Sequence, residues 1–125
     1  MKRSIYKLQI ECSSLEQLTK VSSILNIEHN KFSENIWSLE IIENENDPYF
    51  DFINHFLNLL DNKYDLLNNI GVARTDISIW LLYTYDSQCN LEFLPKDLSR
   101  IGSEEISLSI SCWASSSNVT IDNDN

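Results

Sequence analysis

Glycine and proline are nearly missing from this chain, with two of each in 125 residues. Loops that cradle a nucleotide phosphate use glycines at fixed spacing so that backbone N–H groups can close on the anion, and Gly71 and Gly102 do not supply that spacing. A P-loop and a dinucleotide-binding turn are thereby excluded, and neither a nucleophile elbow nor a paired HExxH occurs. His29 and His55 stand alone in sequence. Cys12, Cys89 and Cys112 are odd in number and far apart, without the paired spacing of zinc ligands. Reduced and mostly buried thiols are expected, since free cysteine behaves as a small hydrophobe. These absences lead us to expect no cofactor, no metal and no catalytic activity.

Basic residues are scarce as well. Nine lysines and arginines face nineteen aspartates and glutamates, a net charge of −10, which repels a phosphate backbone and speaks against a nucleic-acid partner. No apolar run has the length of a membrane span. The basic start Met1-Lys2-Arg3 is followed by Lys7, Gln9 and Glu11, which interrupt any apolar leader core. A cytoplasmic protein with no membrane partner is the resulting expectation.

What is present reads as alternating strands and helices. Tyr6, Leu8, Ile10 and Cys12 alternate with Lys7, Gln9 and Glu11, which predicts a strand over Ile5 to Cys12. Ser14 and Gln17 have capping-box spacing ahead of a stripe of Leu15, Leu18, Val21, Ser22 and Leu25, a helix ending near Asn26. A second strand is expected from Ile36 to Ile42, with Trp37, Leu39 and Ile41 inward. Asp47-Pro48 reads as the start of the longest helix, with Asp47 as its cap and Phe52, Ile53, Phe56, Leu57 and Leu60 as its packing face, bending at Asn62. The stretch from Ile77 to Phe93, ISIWLLYTYDSQCNLEF, predicts a central strand, a turn at Asp86-Ser87, and a partner strand forming a hairpin. Pro95 opens a short helix with Leu98 and Ile101 inward, and Ile106, Leu108, Ile110 and Cys112 predict a final strand over Glu105 to Trp113.

The order implies an α+β fold, a mixed or antiparallel sheet with helices packed on one face and the other face open. Residues 1–113 are expected to form a single domain, and 114–125, polar and acidic, a disordered tail. The run SIWLLYTYDSQCNLEFLPKDLSRIGSEEISLSISCW, Ser78 to Trp113, resembles the end of a bacterial domain family of unknown function, the one numbered four-two-seven-nine. There a tyrosine-rich strand, a turn, a strand ending before a Ser/Leu-Pro helix start, and a final alternating strand recur in that order. The resemblance implies a small α+β fold without an established activity, and some relatives look like immunity proteins encoded beside toxins. Near the second strand this chain has Asn35-Ile36-Trp37 where the family pattern has a tryptophan-glycine turn.

Two surfaces are candidates for binding. Glu43, Glu45, Asp47 and Asp51 crowd the loop and first turn of the long helix. Carboxylates there are favoured by the helix dipole, so a solvated cap is the plainer account; the functional reading is an acidic patch that would steer a basic partner, such as a toxin to be neutralised. Calcium is a weaker third reading, because Glu43 to Asp47 supplies oxygens at alternate positions yet lacks the glycine and terminal glutamate of a calcium loop. The second surface is the open sheet face: Gln88, Asn90 and Glu92 on the hairpin, beside Trp80 and Trp113, would suit a small ligand or regulatory partner. Solvent-facing polar residues are the plainer account of the first three.

Overall fold

Alternation in the first segment produces the strand on which the sheet is built. In the computed structural model, which describes residues 3–115, β1 (Arg3–Glu11) turns Ser4, Tyr6, Leu8 and Ile10 into the core and Ile5, Lys7 and Gln9 to the other face. It pairs antiparallel with β3 (Ile36–Asn44) on one side and β4 (Ile77–Tyr85) on the other. β2 (Lys31–Ser33) adds to β3, and β5 (Ser107–Ala114) runs parallel to β4, giving the mixed order β2-β3-β1-β4-β5. Register places Ile41, Tyr6 and Leu81 side by side, and Leu39, Leu8 and Ile79 next to them. Helices α1 (Leu15–Leu25), α2 (Phe52–Leu60), α3 (Tyr64–Asn69) and α4 (Pro95–Ser103) contribute Leu18, Val21, Leu25, Phe52, Ile53, Phe56, Leu57, Leu60, Leu67 and Ile101 to the same core. The fold is α+β, with helices on one face of a mixed sheet and, among the described residues, the other face uncovered.

The first helix starts as its spacing requires. Ser14 Oγ accepts from the Gln17 N–H at 3.1 Å, while Gln17 Oε1 reaches back to the Ser13 N–H, one residue before the cap, at 2.7 Å. Asn26 closes the helix in the left-handed conformation. Leu15, the first residue of the expected stripe, is exposed.

Several expectations are corrected. The long helix does not start at Asp47-Pro48: Asp47 is committed to a turn after β3, its carboxylate accepting from the Asn44 N–H at 2.8 Å, and Asp51 caps α2 instead. The second part of that segment is a separate helix, α3, after Asn62 takes a positive φ of 63°. No hairpin follows β4. Both of its edges are occupied, by β1 and β5, and neither Asp86 nor Ser87 has the positive φ that a two-residue hairpin turn needs, so residues 86–94 cross over irregularly to α4. The tight hairpin lies elsewhere, joining β2 to β3 through Glu34 and Asn35 with φ of 50° and 70°. In the last third, Asp97 is buried where Leu98 was expected, and Ile110 and Cys112 are exposed because they lie on an edge strand. The strand ends at Ala114, and the expected tail falls on residues 116–125, which lie outside the described residues.

Trp37 is fully buried and its Nε1 donates to Ser22 Oγ at 2.9 Å, across α1 and β3. Replacing Ser22 by alanine strands that buried donor. The Ser22→Ala variant is expected to lose about 1–3 kcal/mol in denaturant unfolding, whereas Ser23→Ala, at an exposed neighbouring position, stays within about 0.5 kcal/mol.

Candidate functional site

The absence of a hairpin creates the site. Residues 90–93, denied an edge to pair with, lie across the end of the helical face where β1, β3 and β4 meet the start of α2. A cleft of about 230 Å³ opens there, lined among others by Tyr6, Glu43, Tyr49, Asn90, Glu92 and Phe93. Beside it a shallower one of about 510 Å³ is lined by Tyr49, Asp51, Asn54, Glu92, Phe93 and Asp97, with Leu94 and Lys96. Tyr49, Glu92 and Phe93 belong to both, and Tyr49 stands between them with 72% of its surface exposed.

Four of the sequence candidates therefore come together from two segments that had been assigned to separate surfaces: Glu43 and Asp51 from the acidic loop, Asn90 and Glu92 from the crossover. Glu45 and Asp47 are exposed in the adjoining segment after β3. Gln88 is exposed in the crossover and lines neither cleft. Tyr49 and Asp97 were missed. The only sequence signal for Tyr49 was a large aromatic in a polar segment outside any period, and Asp97 gave none beyond its place in the first turn of α4.

Glu43 and Asp51 are not free surface charges. Glu43 Oε1 accepts from the Tyr6 hydroxyl and from the Phe50 N–H, each at 2.9 Å, and so ties β1 and the entry to α2 to the end of β3. Burial, then this bond to Glu43, push the Tyr6 phenol far above its ordinary range. Asp51 accepts from the Asn54 N–H as the α2 cap, and Asn54 Nδ2 also donates to Asp97 at 2.9 Å. Arg100 continues this seam between α2 and α4, donating to Asn54 Oδ1 at 2.8 Å and Asn58 Oδ1 at 2.9 Å, with Glu104 at 3.0 Å. Tyr49 sits in the field of these carboxylates: burial, then Asp51, Asp97 and Glu43, raise its phenol. A neutral hydroxyl at this position is a hydrogen-bond donor framed by acceptors, a setting that favours cationic and donor-rich groups.

The opposite face of the sheet carries Trp80 and Trp113, as the alternation of β4 and β5 requires. Lys7 Nζ lies 5.5 Å from the Trp80 ring centre, and Trp80 Nε1 donates to Ser78 Oγ. Trp113 is 49% exposed and Ile42, on the same face, 48%. Asn90 and Glu92 are not on that face, so the second candidate surface is divided. The His55 ring meets Phe50 at a tilt and Phe56 edge-on, with ring centres 5.1 and 5.6 Å apart. Among the described residues no group of three or more histidines, cysteines, aspartates or glutamates is arranged to hold a metal ion. The thiols depart from expectation: Cys12 and Cys89 are half-buried and Cys112 is exposed.

Compared with protein-family models, with curated proteins and with solved structures, the chain matches none.

The bonds to Glu43 yield two expectations. Glu43→Ala deprives the buried Tyr6 hydroxyl and the Phe50 N–H of their acceptor, and should cost about 1–3 kcal/mol per stranded group in denaturant unfolding. The raised phenols of Tyr6 and Tyr64 keep their protons in the folded state when unfolded tyrosine, with its ordinary value of 10.0, loses them. Their contribution is complete below pH 10 and is lost as pH rises above it. Thermal melts between pH 9 and pH 11.5 should show that decline, and Tyr6→Phe should flatten part of it.

Proposed function

We propose that the protein is a non-catalytic binding protein of the cytoplasm that engages a basic partner protein through the end of the molecule around Tyr49, and that the partner is a toxin which it neutralises. The observation that carries this reading is Tyr49 itself, 72% exposed between two clefts and surrounded by Glu43, Asp51, Glu92 and Asp97. A rigid aromatic with a polar tip among acceptors is the kind of anchor on which interface energy concentrates. The net charge of −10 adds long-range attraction for a basic protein and repels nucleic acid. The resemblance of Ser78–Trp113 to a family with immunity-like members supplies the toxin. Among the described residues no helix is long and apolar enough to cross a membrane.

A second reading rests on one observation, that Trp80, Trp113 and Ile42 share the sheet face opposite the helices, with Trp113 and Ile42 about half exposed. It would make that face the contact surface for a small ligand or regulatory partner. Tyr49 variants separate the two, since Tyr49 lies at the helical side of the sheet.

The test uses the product of the gene adjacent to the one encoding this chain, co-expressed in a sensitive host and then assayed for binding at two ionic strengths. Tyr49→Ala should weaken binding by about tenfold or more through faster dissociation. A Glu45→Lys, Glu92→Lys variant, which leaves the α2 cap and the bonds of Glu43 intact, should slow association, with the difference shrinking as salt rises. Wild-type protection and wild-type binding by both variants would eliminate this end of the molecule. If Trp113→Ser alone then abolished binding, the contact would move to the open face.

A further inference from the structure

Two of the three thiols meet. Cys89 lies in the irregular crossover after β4 and Cys112 near the end of β5, and their Sγ atoms are 3.5 Å apart although 23 positions separate them in sequence. Cys89 is half-buried and Cys112 exposed, so a small reagent reaches the pair. A bond between them requires the sulfurs to approach by about 1.5 Å. Cys89 lies in a segment that belongs to no strand ladder or helix, so closing that distance breaks no ladder or helix hydrogen bond on its side.

We propose that Cys89 and Cys112 are a reversible disulfide site, closed by a low-molecular-weight disulfide such as oxidised glutathione, and that the bond clamps the crossover segment to β5. One cysteine thiolate attacks a glutathione sulfur, the glutathione disulfide breaks, and one glutathione thiolate leaves. The second cysteine thiolate then attacks the protein sulfur of the mixed disulfide and expels the other glutathione. The two protein thiols lose two protons and two electrons, and these appear in two molecules of reduced glutathione. Exposed dithiols of this kind are the labile, exchangeable ones, in contrast to buried structural bridges.

Cys12 is the internal control. It has no sulfur neighbour among the described residues, its thiol is half-buried, and its Sγ donates weakly to the Ile10 carbonyl. The clamp also has a place in the binding reading, on which this clause alone rests: Asn90, Glu92 and Phe93 follow Cys89 directly and line the clefts beside Tyr49. Closing the bond fixes that wall of the site.

The experiment is a redox titration of the purified full chain with mixtures of reduced and oxidised glutathione, read by intact mass, alkylation and peptide mapping, with no partner present. Wild type and Cys12→Ser should each lose two hydrogens and two alkylatable thiols, restored by dithiothreitol, and mapping should join Cys89 to Cys112. Cys89→Ser and Cys112→Ser should instead retain a glutathione adduct on the other cysteine of the pair, Cys112 or Cys89. Hydrogen exchange across residues 86–94 should slow on oxidation of wild type. Glutathione adducts accumulating on wild type without an internal bond, a bond involving Cys12, or covalent dimers would overturn the site, and unaltered exchange would overturn the clamp. Partner binding is measured separately on the reduced and oxidised forms, so failure of the toxin reading leaves the mass and mapping result standing.

Discussion

β4 has no free edge. It lies between β1, antiparallel, and β5, parallel, and most of what distinguishes this molecule follows from that double occupancy. A strand hydrogen-bonded on both sides cannot close a hairpin with the residues that follow it. Residues 86–94 must instead cross the helical side of the sheet to reach α4, because a parallel return to β5 needs a connection long enough to travel the length of the strand. The crossover carries Asn90, Glu92 and Phe93 to the acidic end and Cys89 to the edge strand. The clefts, the Tyr49 ridge and the thiol pair are thus consequences of one topological choice.

The seam between α2 and α4 holds that arrangement in place. Asp97 is a buried carboxylate, which is tolerated because Asn54 donates to it and because it lies in the first turn of a helix whose dipole favours negative charge. Arg100 binds both Asn54 and Asn58 and is itself neutralised by Glu104, whose other oxygen receives the Tyr64 hydroxyl. Only Asp97 of this seam is buried, with Asn54, Arg100 and Glu104 half-buried around it, but directional bonds that satisfy one another specify a geometry more narrowly than apolar contact does. Here they fix where α4 sits against α2, and with it the floor of the wider cleft.

Periodicity made the core legible and left the connections illegible. Tyr6, Leu8 and Ile10, or Phe52, Ile53, Phe56, Leu57 and Leu60, reveal themselves because burial on one side imposes a repeat of two or of about 3.6. The faces of Trp80 and Trp113 were readable for the same reason. Polar alternation at Gln88, Asn90 and Glu92 carries no such information, since an exposed irregular segment shows it as readily as a strand. The tight turn at Glu34-Asn35 escaped because its left-handed residues are not glycines, and the helix start was placed four residues early because Asp47 and Asp51 are both chemically capable caps. Which carboxylate caps, and which accepts from Tyr6, depends on contacts far apart in the chain. For the same reason Tyr49 and Asp97, the residues that give the site its character, had no local signature.

The pairing of β1 with β4 joins Arg3 to Thr84. During synthesis the central strand therefore emerges long before its second neighbour, and until the chain has grown past that point one row of its backbone N–H and C=O groups lacks its native partner. Such an exposed edge, flanked by the apolar Leu8 and Ile10, is the element of a nascent chain most open to pairing with another molecule. The long-range closure also delays assembly of the full sheet relative to the local α1 unit. The edge of β1 that β4 fills stays open until Thr84 has been made, so the interval in which that edge is vulnerable to misassembly is set by the sequence separation of the two strands.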